Sequence, residues 1–260
     1  MESLTPLIAS CSHGSIKLEL RRLHRCGESS HIMKIIGLIP ARGGSKGIVD
    51  KNLQTIEGRS LIQICIETAS KVTLISEIYV SSDSEKILSI GRKLGARLVK
   101  RPEEVSNDLA RAEDVVQHFL ENFTDADKQS LIIVYLQPTS PFTSPYSIEA
   151  CITNYLKDVR PVVSVKQVTE HPDKMFTINQ LGNLSSYSDN PQPTQNRQDL
   201  PQLFLPSGGV YVFSAADFLN YQTIPVLNAI PYLVKGNETL DIDSRLDLEI
   251  ARKIGSPSEL

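Results

Sequence analysis

Glycine and basic side chains are concentrated in one short segment, residues 39–47, which reads IPARGGSKG and follows the apolar run of residues 35–39. Adjacent glycines let several backbone N–H groups converge on phosphate oxygens without obstruction by side chains. The spacing matches neither GxxxxGK[ST] nor GxGxxG. We interpret it as a triphosphate-binding loop, with an unliganded βα turn as the alternative. Its predicted contacts are Arg42, Gly43, Gly44, Ser45 and Lys46, with Lys51 as a further cation.

A pair of acidic residues near the end of the chain forms a second candidate group. Asp241 and Asp243 are separated by one residue, so in an extended segment their side chains point to the same side. Two converging carboxylates repel each other unless a cation lies between them, and hard oxygen ligands suit Mg²⁺. The pair therefore predicts a magnesium site. The alternative is a helix-entry cluster in which Asp243 or Ser244 is the N-cap.

The segment QPTSP, residues 137–141, follows the most apolar predicted strand, residues 131–136. Its two prolines keep the backbone extended. Gln137, Thr139 and Ser140 would therefore be presented at the sheet edge where ligands of α/β proteins bind. A purely structural turn also explains the prolines, but it does not explain a glutamine directly after an apolar strand.

Strand and helix patterns alternate from Met33 onward, which predicts an α/β fold with a mostly parallel sheet covered on both faces. Ser82 and Glu85 have the spacing of a capping box and predict a helix start. Pro145 is placed as the first residue of another helix. Leu246, Ile250 and Ile254 share one face of the last predicted helix. Predicted strands cover residues 35–39, 78–80, 96–99, 131–136, 161–165, 210–213 and 230–234, and predicted helices cover 60–71, 82–94, 115–123, 145–156 and a segment after residue 244.

Two segments break this alternation. Residues 169–206 are rich in Pro, Asn, Gln and Ser and predict an inserted hairpin lobe between two parts of one domain, 33–168 and 207–260. Residues 1–32 lack sustained periodicity. We interpret them as an N-terminal extension that is disordered or not translated, with Met33 as the start.

Composition excludes several classes of function. Lys and Arg number 27 against 30 Asp and Glu, for a net charge of −3, so there is no global basic field for nucleic acid. No apolar run approaches the roughly 20 residues of a membrane span. The four cysteines lack CxxC pairing, which favours a reducing cytoplasm over a disulfide framework or zinc site.

The segment 40–47, PARGGSKG, followed by Lys51 and Asn52, resembles the signature of the acylneuraminate cytidylyltransferases, or CMP-sialic acid synthetases. The resemblance recurs, in the family's order, at VSSD (80–83), RPEE (101–104), QPTSP (137–141), NRQDLP (196–201) and DID (241–243). It spans about residues 33–254. Each motif is moderately specific, and their ordered occurrence is a strong indication.

The resemblance implies a three-layer, doubly wound, Rossmann-like nucleotidyltransferase that joins CTP to a nonulosonic sugar acid with Mg²⁺, releasing pyrophosphate. Arg42, Lys46, Lys51 and Asp241 would be catalytic; the proton of the sugar hydroxyl would go to Asp241 or to a metal-bound hydroxide. The lobe would be exchanged between subunits of a homodimer. The remaining implied contacts are Asn52, Ser82 and Arg101 with cytidine, Gln137, Thr139, Ser140, Lys174 and Arg197 with the sugar, and Asp241 and Asp243 with the metal.

Some positions depart from the family's usual pattern. Phe142-Thr143 replaces a Leu-Arg pair, LPSGG (205–209) replaces a typical RPNGA, and Ala112 stands where a serine is common. We place the lost Arg and Asn in the sugar half of the site. Legionaminic and pseudaminic acids are therefore alternative acceptors to N-acetylneuraminate. A 3-deoxy-octulosonate cytidylyltransferase and a non-catalytic nucleotide-sugar-binding module are the competing functions.

Overall fold

A seven-stranded sheet organises the chain from Lys34 onward. The computed structural model describes residues 33–44, 47–106 and 110–255, so the predicted extension 1–32 lies outside the described residues. The strands are β1 Lys34–Pro40, β2 Thr55–Ile56, β3 Arg59–Ser60, β4 Glu77–Ser82, β5 Arg97–Lys100, β6 Leu131–Leu136, β7 Val162–Gln167, β8 Phe176–Ile178, β9 Leu184–Ser186, β10 Phe204–Ser214 and β11 Ile230–Leu233. The main sheet has the order β11-β7-β10-β6-β1-β4-β5.

Seven α-helices occur in the described part of the chain, and they cover both faces of the sheet. They are α1 Leu61–Ser70, α2 Glu85–Lys93, α3 Ala112–Leu120, α4 Asp125–Gln129, α5 Pro145–Asp158, α6 Ala215–Tyr221 and α7 Arg245–Ile254. Helices α3 and α6 pack on one face through a core that includes Phe119, Ile133 and Phe218. Helices α1, α2 and α5 pack on the other. The predicted three-layer α/β fold is confirmed, and no helix of the described residues is long and apolar enough to cross a bilayer.

Strand β10 is the one antiparallel member of the main sheet; it pairs with β6 on one side and β7 on the other. The register against β7 shifts between Pro206 and Tyr211. Such a bulge bends a strand locally and redirects its neighbouring residues. Since β10 already begins at Phe204, the pairing extends into the end of the segment predicted as an insertion. The hairpin β8–β9 forms a separate two-stranded sheet in that segment.

Several local predictions are corrected by the structure. Ser82 is the last residue of β4, and Ser84 is the N-cap of α2; the Ser82 hydroxyl accepts a hydrogen bond from Ser84 N instead of capping the helix. Helix α3 begins three residues before its predicted start, and the short helices α4 and α6 were missed. The apolar face of Leu246, Ile250 and Ile254 is exposed. Helix α7 instead buries the intervening Leu248 and Ala251.

A small second core lies where the segments that follow β1 and β6 meet the start of α7. It contains Ile48 from the first segment, Phe142 from the second and Ile242 from the acidic segment, all at most 4% exposed. Residues of α1 and α7 complete it. Burial of apolar surface thus fixes three distant parts of the chain relative to one another.

We predict that Phe142→Ala destabilises the protein by about 3–5 kcal/mol, because it leaves a cavity in this second core. Chemical denaturation monitored by circular dichroism measures the change. The matched control is Tyr146→Ala, four residues further on and 77% exposed, which should change the unfolding free energy by less than about 0.5 kcal/mol. Equal effects of the two substitutions would contradict the assignment of Phe142 to a core.

Candidate functional site

The predicted phosphate loop follows β1 and is attached to the end of β4. Ala41 N donates to Ser81 O at 2.9 Å, and Gly43 N donates to Asp83 Oδ1 at 2.9 Å. A Cβ on Gly43 would lie 2.9 Å from Ser84 Cβ, so only glycine fits this approach. Gly44 lies in the same loop with open space around it. Ser45 and Lys46, both predicted phosphate contacts, lie outside the described residues.

Lys51 joins this loop to the acidic pair, although 192 positions separate it from Asp243 in the sequence. Its ammonium donates to Ile242 O at 2.9 Å and lies 3.3 Å from Asp243 Oδ1. Asn52 is buried, and its side-chain amide donates to Arg42 O at 3.0 Å. The structure therefore brings together the cationic loop and the acidic residues that the sequence predicted separately.

The central residue of the acidic segment, Ile242, fixes the position of that segment. Ile242 is fully buried, whereas Asp241 is half-buried and Asp243 is exposed. Ile242 N donates to Thr139 O at 2.8 Å, and the Ser140 hydroxyl donates to Asp241 Oδ1 at 3.3 Å. Ser140, predicted to contact the sugar, is thus in contact with an aspartate of the predicted metal site.

Gly208 lies directly against the carboxylate of Asp241. It lies in the bulge of β10 with φ +85°, and a Cβ there would be 2.9 Å from Asp241 Oδ2 and 3.1 Å from Ser140 Oγ. Both the backbone conformation and the proximity of the carboxylate require glycine. Gly208 was predicted only as part of a segment that departs from the family pattern; two adjacent glycines inside a strand were the available signal for a close approach.

The donor set of the acidic pair fits a divalent cation of the magnesium type. Mg²⁺ in proteins is commonly bound by one or two carboxylates, with water and substrate phosphate oxygens completing its shell. Asp241 and Asp243 supply two carboxylates beside the phosphate loop. No group of three or more His, Cys, Asp or Glu side chains that could bind a metal occurs among the described residues.

Arg101 is a buried cation next to the phosphate loop. It follows β5, its backbone N donates to Ser82 O at 2.9 Å, and its side chain is folded back on Val105 O at 3.4 Å. The residue is 5% exposed, and its Nε finds no hydrogen-bond partner in the part of the chain that the structure describes. Burial lowers the pKa of this guanidinium. An unsatisfied buried donor is costly, so an acceptor atom of a ligand is expected here.

A cavity of about 810 Å³ is lined by Gln137, Tyr135 and Tyr211 and, over much of its wall, by residues 159–161 and 223–228; no described residue of the glycine loop or the acidic pair lines it. The two tyrosine rings meet edge to face at 6.1 Å. Burial raises the pKa of Tyr211, and the nearby charge of Asp241 raises it further. Tyr211 therefore links the cavity electrostatically to Asp241, and the cavity is large enough for a small-molecule ligand. Neither tyrosine was predicted from the sequence. Tyr135 and Gln137 flank the buried Leu136, so both point to the same side of the strand, which was the available signal.

The two predicted sugar contacts of the inserted segment lie apart from this cavity. Lys174 ends a short 3₁₀ turn, Pro172–Lys174, and Arg197 pairs with Glu170 at 3.0 Å. Neither residue is among those that line the cavity. The structure of one chain therefore does not bring these two cations together with Gln137.

Two of the residues that depart from the family pattern, Thr143 and Ser207, are buried beneath Ser140, whereas Leu205 is 52% exposed and Ala112 lines the cavity with Gln137. Thr143 is buried, and a Cβ on Gly209 would lie 2.8 Å from its Oγ1. Ser207 is 1% exposed, and its hydroxyl lies 2.7 Å from that of Ser164. These residues form a packed polar cluster behind Ser140, so their change of type alters the support of the site.

The fold and these residues together define an α/β protein in which a glycine-rich loop lies close to a segment with two carboxylates. A sequence model of the family described as "Cytidylyltransferase" matches residues 36–235. Since this range covers most of the chain, the protein belongs to the cytidylyltransferase family.

Curated relatives share sequence over most of the chain. The N-acylneuraminate cytidylyltransferase of Streptococcus agalactiae serotype III (strain NEM316) is 32% identical over 225 residues, covering 83% of this chain and 52% of the relative. The chain thus spans about half the length of the first such relatives. The CMP-N,N'-diacetyllegionaminic acid synthase of Legionella pneumophila is 28% identical, covering 85% of this chain and 96% of the relative.

Solved structures share the fold. A CMP:2-keto-3-deoxy-manno-octonic acid synthetase complexed with CTP superimposes with a TM-score of 0.62 at 19% identity, covering 85% of this chain and 98% of the other. A 4-diphosphocytidyl-2C-methyl-D-erythritol synthase from Anaerococcus prevotii gives a TM-score of 0.58 at 16% identity, covering 85% of this chain and 95% of the other. At these identities the similarity supports the fold alone.

We predict that Gly208→Ala lowers the pyrophosphate release from CTP that is expected of a cytidylyltransferase by about 100-fold, since displacement of a site residue such as Asp241 by even 1 Å can have an effect of that size. The matched control is Gly95→Ala. Gly95 has φ +78°, close to that of Gly208, but no atom of the described residues lies within 4 Å of its Cβ position. Gly95→Ala should reduce stability through the same backbone strain while turnover stays unchanged. Equal losses of turnover would show that strain alone is responsible.

Proposed function

We propose that the protein transfers CMP from CTP to a nonulosonic sugar acid and releases pyrophosphate. The single observation that carries this proposal is the contact of Lys51 with the acidic segment, which joins the predicted phosphate loop to the segment of Asp241 and Asp243. Membership of the cytidylyltransferase family supports the nucleotide, and the relatives that act on sialic, legionaminic and pseudaminic acids support the class of sugar.

The nucleotide would lie between the glycine loop and the ends of β4 and β5. Backbone N–H groups of Gly44 and the following loop would bind phosphate oxygens. Arg101 would use its unsatisfied Nε on an acceptor of the cytidine. Asn52 maintains the loop by its bond to Arg42 O. The full proposed set is Arg42, Gly43, Gly44, Ser45, Lys46, Asn52, Ser82 and Arg101.

Asp241 and Asp243 would bind Mg²⁺, whose chemistry here is to neutralise charge on the phosphate oxygens during transfer. In the reaction, the anomeric hydroxyl oxygen of the sugar bonds to the α-phosphorus in line as the bond to the β-phosphate bridge breaks. Pyrophosphate leaves with the electron pair of the broken bond, and the proton of the sugar hydroxyl moves towards Asp241. Arg42, Lys46 and Lys51 stabilise the negative charge that develops.

The sugar would occupy the cavity at Gln137, where the wall residue Tyr211 interacts with the charge of Asp241. Tyr135 and Tyr211 provide walls with an apolar ring and a polar tip, which suits a sugar that carries acyl groups as well as hydroxyls. Thr139 and Ser140 lie at the same edge of the sheet. The relatives for legionaminic acid and for pseudaminic acid match this chain over at least 95% of their own length, so both sugars belong in the test beside N-acetylneuraminate.

The function is tested by pyrophosphate release from CTP and Mg²⁺ with four acceptors: N-acetylneuraminate, N,N'-diacetyllegionaminate, pseudaminate and 3-deoxy-octulosonate. We expect release with at least one of the first three. Release with 3-deoxy-octulosonate alone would replace the proposed sugar class. Binding of CTP without release in any mixture would identify a non-catalytic binding module.

We predict that Asp241→Asn lowers kcat by about 10²–10³-fold, the size of effect seen when one electrostatic contact to the transition state is removed. The thermal unfolding midpoint should change little, because Asp241 is only half-buried. Asp158→Asn, at the exposed end of α5, is the matched control and should retain full turnover. An unchanged kcat in Asp241→Asn would refute its role.

We further propose that the protein is a homodimer in which the inserted segment, residues 169–206, contacts the partner subunit and brings Lys174 and Arg197 to its site. The segment exposes apolar side chains that a monomer would leave in water: Phe176, Ile178, Leu181, Leu184 and Tyr187. Exposed apolar groups concentrated in this way are typical of interaction surfaces.

The described cysteines, Cys65 and Cys151, are buried and free, which is compatible with a cytoplasmic location.

Sedimentation velocity should show a species of twice the 28.8-kDa chain mass. Ile178→Asp should dissociate it, since burial of an unpaired charge in an interface is unfavourable. The control is Leu246→Asp on α7, which introduces the same charge at a comparably exposed position, 68% against 75%, and should leave the dimer intact. A monomeric unsubstituted protein, or dissociation by Leu246→Asp alone, would contradict the assigned interface.

A further inference from the structure

The short turn before the acidic pair, Gly236–Thr239, is attached to the first turn of α5 by one carboxylate. Glu238 Oε1 accepts a hydrogen bond from Ser144 N at 3.0 Å, and Oε2 accepts one from the Ser147 hydroxyl at 2.7 Å. Ser147 is 3% exposed, and its hydroxyl also lies 3.2 Å from the hydroxyl of Tyr232. Both oxygens of Glu238 are therefore committed to partners more than 90 positions away in the sequence.

Helix α5 does not depend on Glu238 for its own start. The Ser144 hydroxyl accepts a bond from Ser147 N at 3.1 Å, and Pro145 at the first helical position has no N–H to satisfy. A helix of 14 residues that packs on the sheet is a rigid partner. The turn is the weaker of the two elements: Gly236 has φ +57°, and the residue before it, Lys235, provides no side-chain cap.

The contacts of Glu238 and Asp241 connect the same two stretches of chain. Three residues after Glu238, Asp241 accepts a hydrogen bond from Ser140, which lies four residues before Ser144. On the other side of the turn, Lys166 donates to Thr239 O at 3.0 Å. If Glu238 lost its hydrogen bonds, the nearest remaining side-chain contacts of the chain before Asp241 would be those made by Lys166 and by the Ser140 hydroxyl.

We propose that Glu238 is a positioning residue for the acidic pair: by joining the turn to α5, it fixes the carboxylate of Asp241 for the divalent cation. This inference rests on the proposed function. Residues that orient metal ligands commonly change metal affinity by about 10–100-fold when they are substituted. Glu238 touches neither substrate nor metal, so its loss should weaken cation binding while the cation-saturated site still reacts.

The test compares Glu238→Ala and the conservative Glu238→Gln with the unsubstituted full-length chain in the presence of CTP. Free Mn²⁺ is measured by electron paramagnetic resonance, and the Mg²⁺ dependence of pyrophosphate release is measured in parallel. We expect Glu238→Ala to weaken Mn²⁺ binding and to raise the half-saturating Mg²⁺ concentration, each by about 10-fold. At saturating Mg²⁺, kcat should remain within about threefold. Glu238→Gln should fall between, because its amide retains one acceptor oxygen.

The matched control is Asp127→Asn in α4. Its carboxylate accepts a bond from the Thr124 hydroxyl at 2.6 Å at the start of that helix, and α4 precedes β6, at the sheet edge opposite to the site. This substitution also weakens a capping interaction and should leave Mn²⁺ binding unchanged. If Glu238→Ala is poorly folded, Ser147→Ala removes one of the same two bonds and should shift Mn²⁺ affinity in the same direction.

The inference would be overturned if Glu238→Ala bound Mn²⁺ with an affinity within twofold of that of the unsubstituted protein while its unfolding midpoint was lowered. Glu238 would then be a structural contact only. A fall in kcat at saturating metal with unchanged Mn²⁺ affinity would overturn it as well. Absence of Mn²⁺ binding by the unsubstituted protein with CTP would reject the metal role of Asp241 and Asp243, and the inference with it.

Discussion

The burial of Ile242 is the constraint on which the rest of the site depends. This side chain enters the second core, and its N–H is bonded to Thr139 O. In an extended segment, neighbours of a buried residue must point away from the core. Asp241 and Asp243 are therefore directed to the same side by an apolar interaction, before any charge is considered. Because Ile48 and Phe142 belong to the same core, the segment carrying the phosphate loop is placed by the same contact.

Electrostatic interactions then stabilise the arrangement of charged residues that packing produces. Two adjacent carboxylates alone would repel each other, and the ammonium of Lys51 at 3.3 Å from Asp243 offsets part of that repulsion. A phosphate ligand and a divalent cation would add charges of both signs at one place, which suits a group-transfer reaction that depends on charge stabilisation and alignment. Gly208 allows Asp241 to lie against the backbone of β10. The altered neighbours Thr143 and Gly209 fit each other: a larger residue at position 209 would meet the threonine hydroxyl.

Much of the fold was predictable from local pattern. The strand at residues 131–136, the helix start at Pro145, the N-cap Ser244 and the mostly parallel sheet were identified correctly, because apolar periodicity, helix-start signals and capping chemistry act over a few residues. The failures have a common cause. Ser82 and Glu85 fit a capping box, but strand pairing extends β4 through Ser82. In α7, the apolar spacing of 246, 250 and 254 was stronger than that of Leu248 and Ala251, yet Ile242 and the residues of α1 in the second core lie on the side of Leu248 and Ala251.

For the site, the sequence by itself determined the chemical types: a cationic glycine loop, a pair of carboxylates and a polar segment after a buried strand. These follow from residue identity and spacing, which are local properties. The tertiary structure alone decided that Lys51 meets Asp243, that Tyr135 and Tyr211 wall one cavity, and that Glu238 joins the acidic turn to α5. Such contacts join residues from about 75 to more than 190 positions apart, and only the packing of the sheet, its bulge and the second core determines which of them meet.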